Sequence, residues 1–202
     1  MRFASSNRRK KETTSSDSPR PSSTDGNHQG KQRVDVNETY GVVKTMSTVH
    51  RKIETSLYEV ATRFLGMKET KGSKHDPYII WCFSLTTYPE PHADEVSWCS
   101  AIMNGWCKHL GLPMTYSAAA RSWLAVGTPI DIEEARIGND IVILRRGPSP
   151  QPGPSVINAP GHVTVFGGLA GLKFKGVGGN QSDMVREDLY PIEDILGVRR
   201  LA

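Results

Sequence analysis

Residues 94–111 read DEVSWCSAIMNGWCKHLG, and the spacing inside this stretch decides how the chain folds. Cys99, Ile102, Met103, Trp106 and Leu110 share one helical stripe, and Gly111 follows as a C-terminal stop. The spacing predicts a helix that packs this stripe on a core and carries Cys99 in its first turn. Upstream, Val49, Ile53, Leu57, Val60, Ala61, Phe64 and Leu65 keep the helical period from Met46 to a stop at Gly66. Between the two, KETKGSKHDP (68–77) reads as loop. YIIWCFSL (78–85) is a buried apolar run whose type periodicity leaves open, with Cys82 as packing. Downstream, SAAARSWLAV (117–126) predicts a short helix. Strands are expected at 140–145, 162–166, 172–177, 185–189 and 196–200, separated by glycine and proline. Helices first and strands afterwards imply an α+β domain, with N-terminal helices packed on a small antiparallel sheet.

The chain has 202 residues and is 37% hydrophobic, enough for one core once a polar tail is set aside. Residues 1–40 are rich in Ser, Thr, Arg, Lys, Pro and Gly and cannot offset the entropy of ordering, so they read as a disordered tail before a domain at 41–202. The formal charge of +4 is uneven, because residues 1–33 hold eight basic against three acidic side chains and the remainder is slightly acidic. Such an arm can contact nucleic acid, a virion component or an anionic envelope, and it can equally be a solubilising tail or an assembly leftover. No run of eighteen apolar residues occurs, and MRFASSNRRKK leads into a polar segment. Neither a membrane span nor a secretory signal is therefore expected.

Cys82, Cys99 and Cys107 are an odd number without a CxxC pair, which argues against a disulfide framework and a cysteine-rich zinc site. No metal or cofactor is implied. A free thiol with a pKa of roughly 8.5 is only a few per cent thiolate at neutral pH, so a nucleophilic cysteine needs help. A helix start supplies part of it, and a cationic neighbour must supply the rest. Of the six histidines, His28 is in the tail, and His50 falls on the polar side of the first helix. His109 is ten residues beyond Cys99 on one helix, about 15 Å along the axis. His75 and His92 stay open as loop residues. His162 opens HVTVF after a Pro- and Gly-rich loop, where a rigid strand aims its ring; alternation puts His162, Thr164 and Phe166 on one face and Val163 and Val165 on the other. A third group should orient the imidazole, and GVGGNQS (176–182) offers Asn180 and Gln181, between which spacing does not choose.

In order, DEVSWCSAIMNGWCKHLG, SAAARSWL, NDIVILRRG, GHVTVFGG, GGNQSD and LGVRR resemble the phage-associated, endolysin-like branch of the NlpC/CHAP superfamily of papain-like cysteine peptidoglycan hydrolases, from about Leu57 to Arg200. The resemblance implies a papain-like fold and a thiol endopeptidase or amidase that cuts murein stem-peptide or cross-link bonds. It further implies a bacteriolytic enzyme of host-cell lysis or viral entry, found in the virion or host cytoplasm and acting on the periplasmic wall. Carried over by position, Cys99 attacks the carbonyl with its backbone N–H as an oxyanion donor, His162 moves the proton and Asn180 orients His162. Trp98, Glu95 and Gln181 are placed at the substrate. Two departures stand out: Gly138-Asn139-Asp140-Ile141 has one residue more than the usual Gly-Asp-Ile-Val, and the loop before His162 is long, so a different cleft rim is expected. Glu95 reads as structural or substrate-binding, because a carboxylate close to a thiolate opposes it.

Two other readings compete. A murein glycosidase would use Glu69, Asp94 or Glu95 as acid and second carboxylate. A non-enzymatic nucleic-acid or assembly protein would act through the basic tail, although the domain contains no recognised nucleic-acid module.

Overall fold

A computed structural model describes residues 54–72, 74–90 and 92–202. The expected tail, and the part of the first helix at 46–53, lie outside the described residues.

The first described helix, α1 (Leu57–Thr62), is shorter than its periodicity suggested. Ser56 caps it, with the Ser56 side chain on the Glu59 N–H and the Glu59 carboxylate on the Ser56 N–H, a reciprocal box worth about 1 kcal/mol. The extra residue before the first long strand has a use here: the Asn139 side chain accepts from the Leu57 N–H at 2.9 Å, and the Gly138 carbonyl accepts from Tyr58 at 2.9 Å. That pair moors α1 to the sheet.

YIIWCFSL forms helix α2 (Pro77–Ser84), started by Asp76, whose carboxylate accepts from the Tyr78 and Ile79 N–H groups, and by proline in the first turn. Helix α3 (Cys99–Leu110) begins at Cys99 and ends on Gly111 in the left-handed conformation. The two helices cross closely: a β-carbon on Gly105 would collide with the Cys82 sulfur. A 3-10 helix (Ala120–Ala125) follows, tighter than the helix expected at 117–126.

The remaining chain builds a six-stranded antiparallel sheet in the order β1-β6-β2-β3-β4-β5. Its strands are β1 (Thr128–Ile130), β2 (Asp140–Arg145), β3 (Gly161–Ala170), β4 (Lys173–Gly178), β5 (Arg186–Pro191) and β6 (Ile195–Arg200). The short edge strand β1 was not foreseen. Ile141, Ile143, Val163 and Val165 face the helices and share their core with Ile102, Trp106 and Trp123. Val142, Leu144, Phe166 and Phe174 form a second cluster with Val198. Period-two alternation thus feeds two cores, which is why β2 reads as an unbroken apolar run. The architecture is mixed α+β. No helix among the described residues is long and apolar enough to cross a membrane.

Candidate active site

Cys99 is the first residue of α3, and its neighbours in sequence fix that helix start. The preceding Trp98 is fully buried beneath the turn after β4; a β-carbon on Gly179 would collide with its ring, so glycine is needed where the turn crosses it. The following Ser100 donates to the Ser117 carbonyl at 2.7 Å and accepts from the Trp123 indole at 2.9 Å. One turn on, the Asn104 side-chain oxygen accepts from the N–H groups of Thr115 and Tyr116, each at 3.0 Å. Ser100 and Asn104 therefore dock the 115–119 segment against α3. No side chain caps the N-terminal end of α3, which leaves its first N–H groups to other acceptors.

His162 is the second residue of β3 and is buried. Its ring sits at the end of a chain of aromatic contacts, Phe166 to Phe174 to Tyr190 to His162, with centroid separations of 6.1, 5.6 and 5.7 Å. Nε2 lies 3.1 Å from the Gln181 side-chain oxygen and 3.3 Å from the Tyr190 hydroxyl. Which nitrogen carries the proton follows from Gln181. The Gln181 amide nitrogen faces only acceptors: the Arg186 carbonyl at 2.9 Å, the Asp188 carboxylate at 3.2 Å and the Gly176 carbonyl at 3.5 Å. The amide is thereby oriented with its oxygen to the ring, so Nε2 is an N–H donor and Nδ1 is the nitrogen left to exchange a proton. Nδ1 is buried and has no hydrogen-bond partner among the described residues.

The thiol that His162 influences is Cys99. Burial alone would raise the Cys99 thiol, but the proximity of His162, of the Val163 backbone N–H and of the Arg146 charge outweighs it and holds the thiol below its ordinary value. The other two thiols go the opposite way: burial pushes Cys107 up to about 12, and Cys82 is raised by burial as well. One of three buried cysteines is thus prepared to ionise. Cys99 borders a groove of about 560 Å³ whose walls include Ser97, Ala119, Arg146, Asn158 and Gly161, so the buried sulfur has a route to a ligand.

The long loop before His162 forms part of that wall and is held by Arg121, an arginine with no exposed surface. Its guanidinium donates to the carbonyls of Pro160 at 2.9 Å, Pro152 at 3.0 Å, Gly153 at 2.9 Å and Val156 at 3.2 Å. Burial lowers its pKa, and the charge of Arg145 adds to the effect. Four neutral carbonyls take the place of a carboxylate partner.

Several expected roles change in this geometry. Asn180 does not contact the imidazole; that position belongs to Gln181, while the Asn180 carbonyl accepts from Arg146 at 3.5 Å. Gln181 in turn is buried behind the ring, where its amide is engaged by His162, Arg186 and Asp188. Trp98 is sealed in the core, its indole N–H 3.4 Å from the Glu69 carboxylate, so it forms no substrate surface. Glu95 is exposed and accepts from the Gly72 N–H at 3.3 Å. Asp94 is fully buried and staples a loop, accepting from the N–H groups of Thr70 and Asp76, each at 2.7 Å, and from His75 at 2.9 Å. Burial alone would raise the Asp94 carboxyl, but these donors hold it below the usual range, the reverse of what a general acid at neutral pH requires. Asp94 and Glu95 are thus committed to loop contacts, and Glu69 to the Trp98 indole.

The remaining histidines of the described residues are also engaged away from Cys99. His92 contacts the Tyr88 carbonyl at 3.1 Å, and His109 contacts the Tyr78 hydroxyl at 3.0 Å beside the Trp81 ring. Sequence reasoning missed Ser100, Asn104, Arg121, Arg146 and Tyr190. Among these, Arg121 had a legible signal, since a cation inside AAARSWL sits where the apolar pattern calls for burial. Among the described residues no group of three or more His, Cys, Asp or Glu side chains is arranged to hold a metal ion.

Comparison of the chain with protein-family models, curated proteins and solved structures found no match.

Proposed function

We propose that the protein is a cysteine-type hydrolase of the papain-like NlpC/CHAP kind that cleaves an amide bond in peptidoglycan. The observation that carries the reading is the line Cys99, His162, Gln181: a thiol depressed by an imidazole whose far nitrogen is fixed by an amide, beside an open groove. Murein as the substrate, and host lysis or viral entry as the setting, rest on the resemblance of the sequence motifs.

In the proposed reaction the Cys99 thiolate attacks the scissile carbonyl while His162 holds the proton at Nδ1. The Cys99 backbone N–H, first in α3, is placed to donate to the developing oxyanion, and the partial positive charge of the helix start favours the same oxygen. His162 then gives its proton to the departing amine, leaving a thioester on Cys99. Water, deprotonated by Nδ1, attacks the thioester and releases the acid, which restores the thiolate and imidazolium. Gln181 keeps Nε2–H as the donor throughout, so that Nδ1 is the basic nitrogen in each step.

Digestion of purified Gram-negative murein, with the new termini identified by mass spectrometry, tests this directly. New amino and carboxyl termini that disappear with Cys99→Ala or prior iodoacetamide treatment are expected. New reducing ends that survive both would assign a glycosidase and refute the proposal.

A further inference from the structure

Arg146 lines three neighbouring cavities: the groove beside Cys99, a space of about 190 Å³ beside His162, Gln181 and Tyr190, and one of about 620 Å³ reaching Glu193 and Asp194. Its place follows from the sheet. The register pairs Leu144 with His162 and Arg145 with Gly161, so the next residue of the β2 chain emerges at the mouth of the site. The guanidinium spans that mouth, one nitrogen 3.4 Å from the Ser97 hydroxyl and another 3.5 Å from the Asn180 carbonyl. Both contacts are at the outer limit of a hydrogen bond, and both partners are neutral. Glu193 and Asp194 border the far cavity but make no ion pair with it. Other arginines of the sheet are satisfied differently: Arg186 pairs with Asp188 at 2.7 Å, and Arg200 with Asp140 at 2.8 Å.

An exposed guanidinium has a planar fork of donors that matches a carboxylate bidentately. With the scissile carbonyl at Cys99, the groups on either side of the bond run into the cavities that Arg146 borders. Resting on the hydrolase reading above, we infer that Arg146 binds a free carboxylate carried by a substrate residue adjacent to the scissile bond. The site selects acidic stem peptides over those whose carboxyl groups are amidated. The same cation acts on the Cys99 thiol, and a bound carboxylate takes over its Ser97 and Asn180 contacts.

The test measures binding apart from turnover. Titration calorimetry on the Cys99→Ala protein compares a muramyl tetrapeptide bearing free carboxyl groups with the same peptide converted to carboxamides. The acidic form should bind about ten- to a hundredfold more tightly, the range of a charge-assisted hydrogen-bonded pair. Adding Arg146→Gln should abolish that preference while leaving the amidated peptide's affinity in place, and Arg146→Lys should restore part of it. A preference that is absent, or that persists in Arg146→Gln, overturns the inference. Murein cleavage by the unmodified protein separates the two claims: cleavage without carboxylate preference sinks only the Arg146 site, whereas no cleavage and no binding of either peptide sinks both.

Discussion

Replacing Gln181 with alanine isolates the step on which the chemistry turns. The substitution removes the oxygen 3.1 Å from His162 Nε2 and the amide donor that serves the Arg186 carbonyl and the Asp188 carboxylate. Nε2–H donates to this oxygen whether the ring is neutral or charged, and the bond contributes about 1 kcal/mol with a neutral donor against about 1.5–3 kcal/mol with a charged one. Without it the thiolate–imidazolium pair is disfavoured by the difference, about 1 kcal/mol. At pH values below the ordinary thiol range, the thiolate population then falls by about fivefold.

The assay needs no substrate. Alkylation of Cys99 by iodoacetamide, followed by peptide mass spectrometry from pH 4 to 10, reads the thiolate directly. Cys82 and Cys107 are buried with raised pKa values and serve as unreactive internal controls. In the unmodified protein the inflection should lie below that of an ordinary thiol, and in Gln181→Ala it should move upward. Gln181→Asn should behave like alanine, because an amide one methylene shorter falls short of the ring. An unchanged inflection in a Gln181→Ala protein with native circular dichroism would refute the assignment of Gln181 as the group that positions His162.

Arg121→Met keeps side-chain bulk but removes every donor to the 152–160 carbonyls. Limited proteolysis should then cut within residues 147–160 well before the rest of the domain, and equal resistance would show that the loop is held by other means. Asp94 gives a pH signature. Because its carboxyl is held lower in the folded chain than in the unfolded one, where a value of about 3.9 applies, its stabilisation is complete above the unfolded value and disappears as pH falls through the folded one. Asp94→Asn should therefore lower the urea midpoint at pH 7 and flatten its decline on the acid side; parallel acid limbs would contradict this.

The fold was legible wherever one apolar period ran uninterrupted. Cys99 to Gly111 carries both its stripe and its stop, and the structure starts and ends α3 at those positions. Asp140–Arg145 shows the same correspondence for β2. Legibility failed where a local device competes with period. YIIWCFSL is apolar on every side, and the feature that makes it α2 is the Asp76-Pro77 start, which lies in the preceding segment, where composition reads as loop. The described part of the first helix begins at Leu57 because Ser56 and Glu59 form a cap there, a signal that the longer apolar pattern overrode. Strand β1 has only three residues, Thr128–Ile130, and is held by pairing with β6, so its own sequence contains little to find.

The exchange of Asn180 for Gln181 has a cause that can be traced through the sheet. The β3–β4 register pairs Val165 with Val177. Extended without a break, it would set residue 180 opposite His162, as an uninterrupted strand requires. The chain leaves that path. Asn180, Ser182 and Asp183 all take positive φ values, near 56°, 54° and 60°, and the Gln181 N–H closes a turn on the Met184 carbonyl at 3.0 Å. Asparagine adopts this backbone more readily than most residues, so at 180 it serves the turn, and the turn delivers the side chain of 181 to the ring. The added methylene of glutamine then spans the distance. Gly178 completes the arrangement, since a β-carbon there would collide with the Gln181 oxygen. The residue types for orienting His162 were readable in GGNQ, but the choice between two adjacent amides was made by a backbone reversal that strand alternation does not describe.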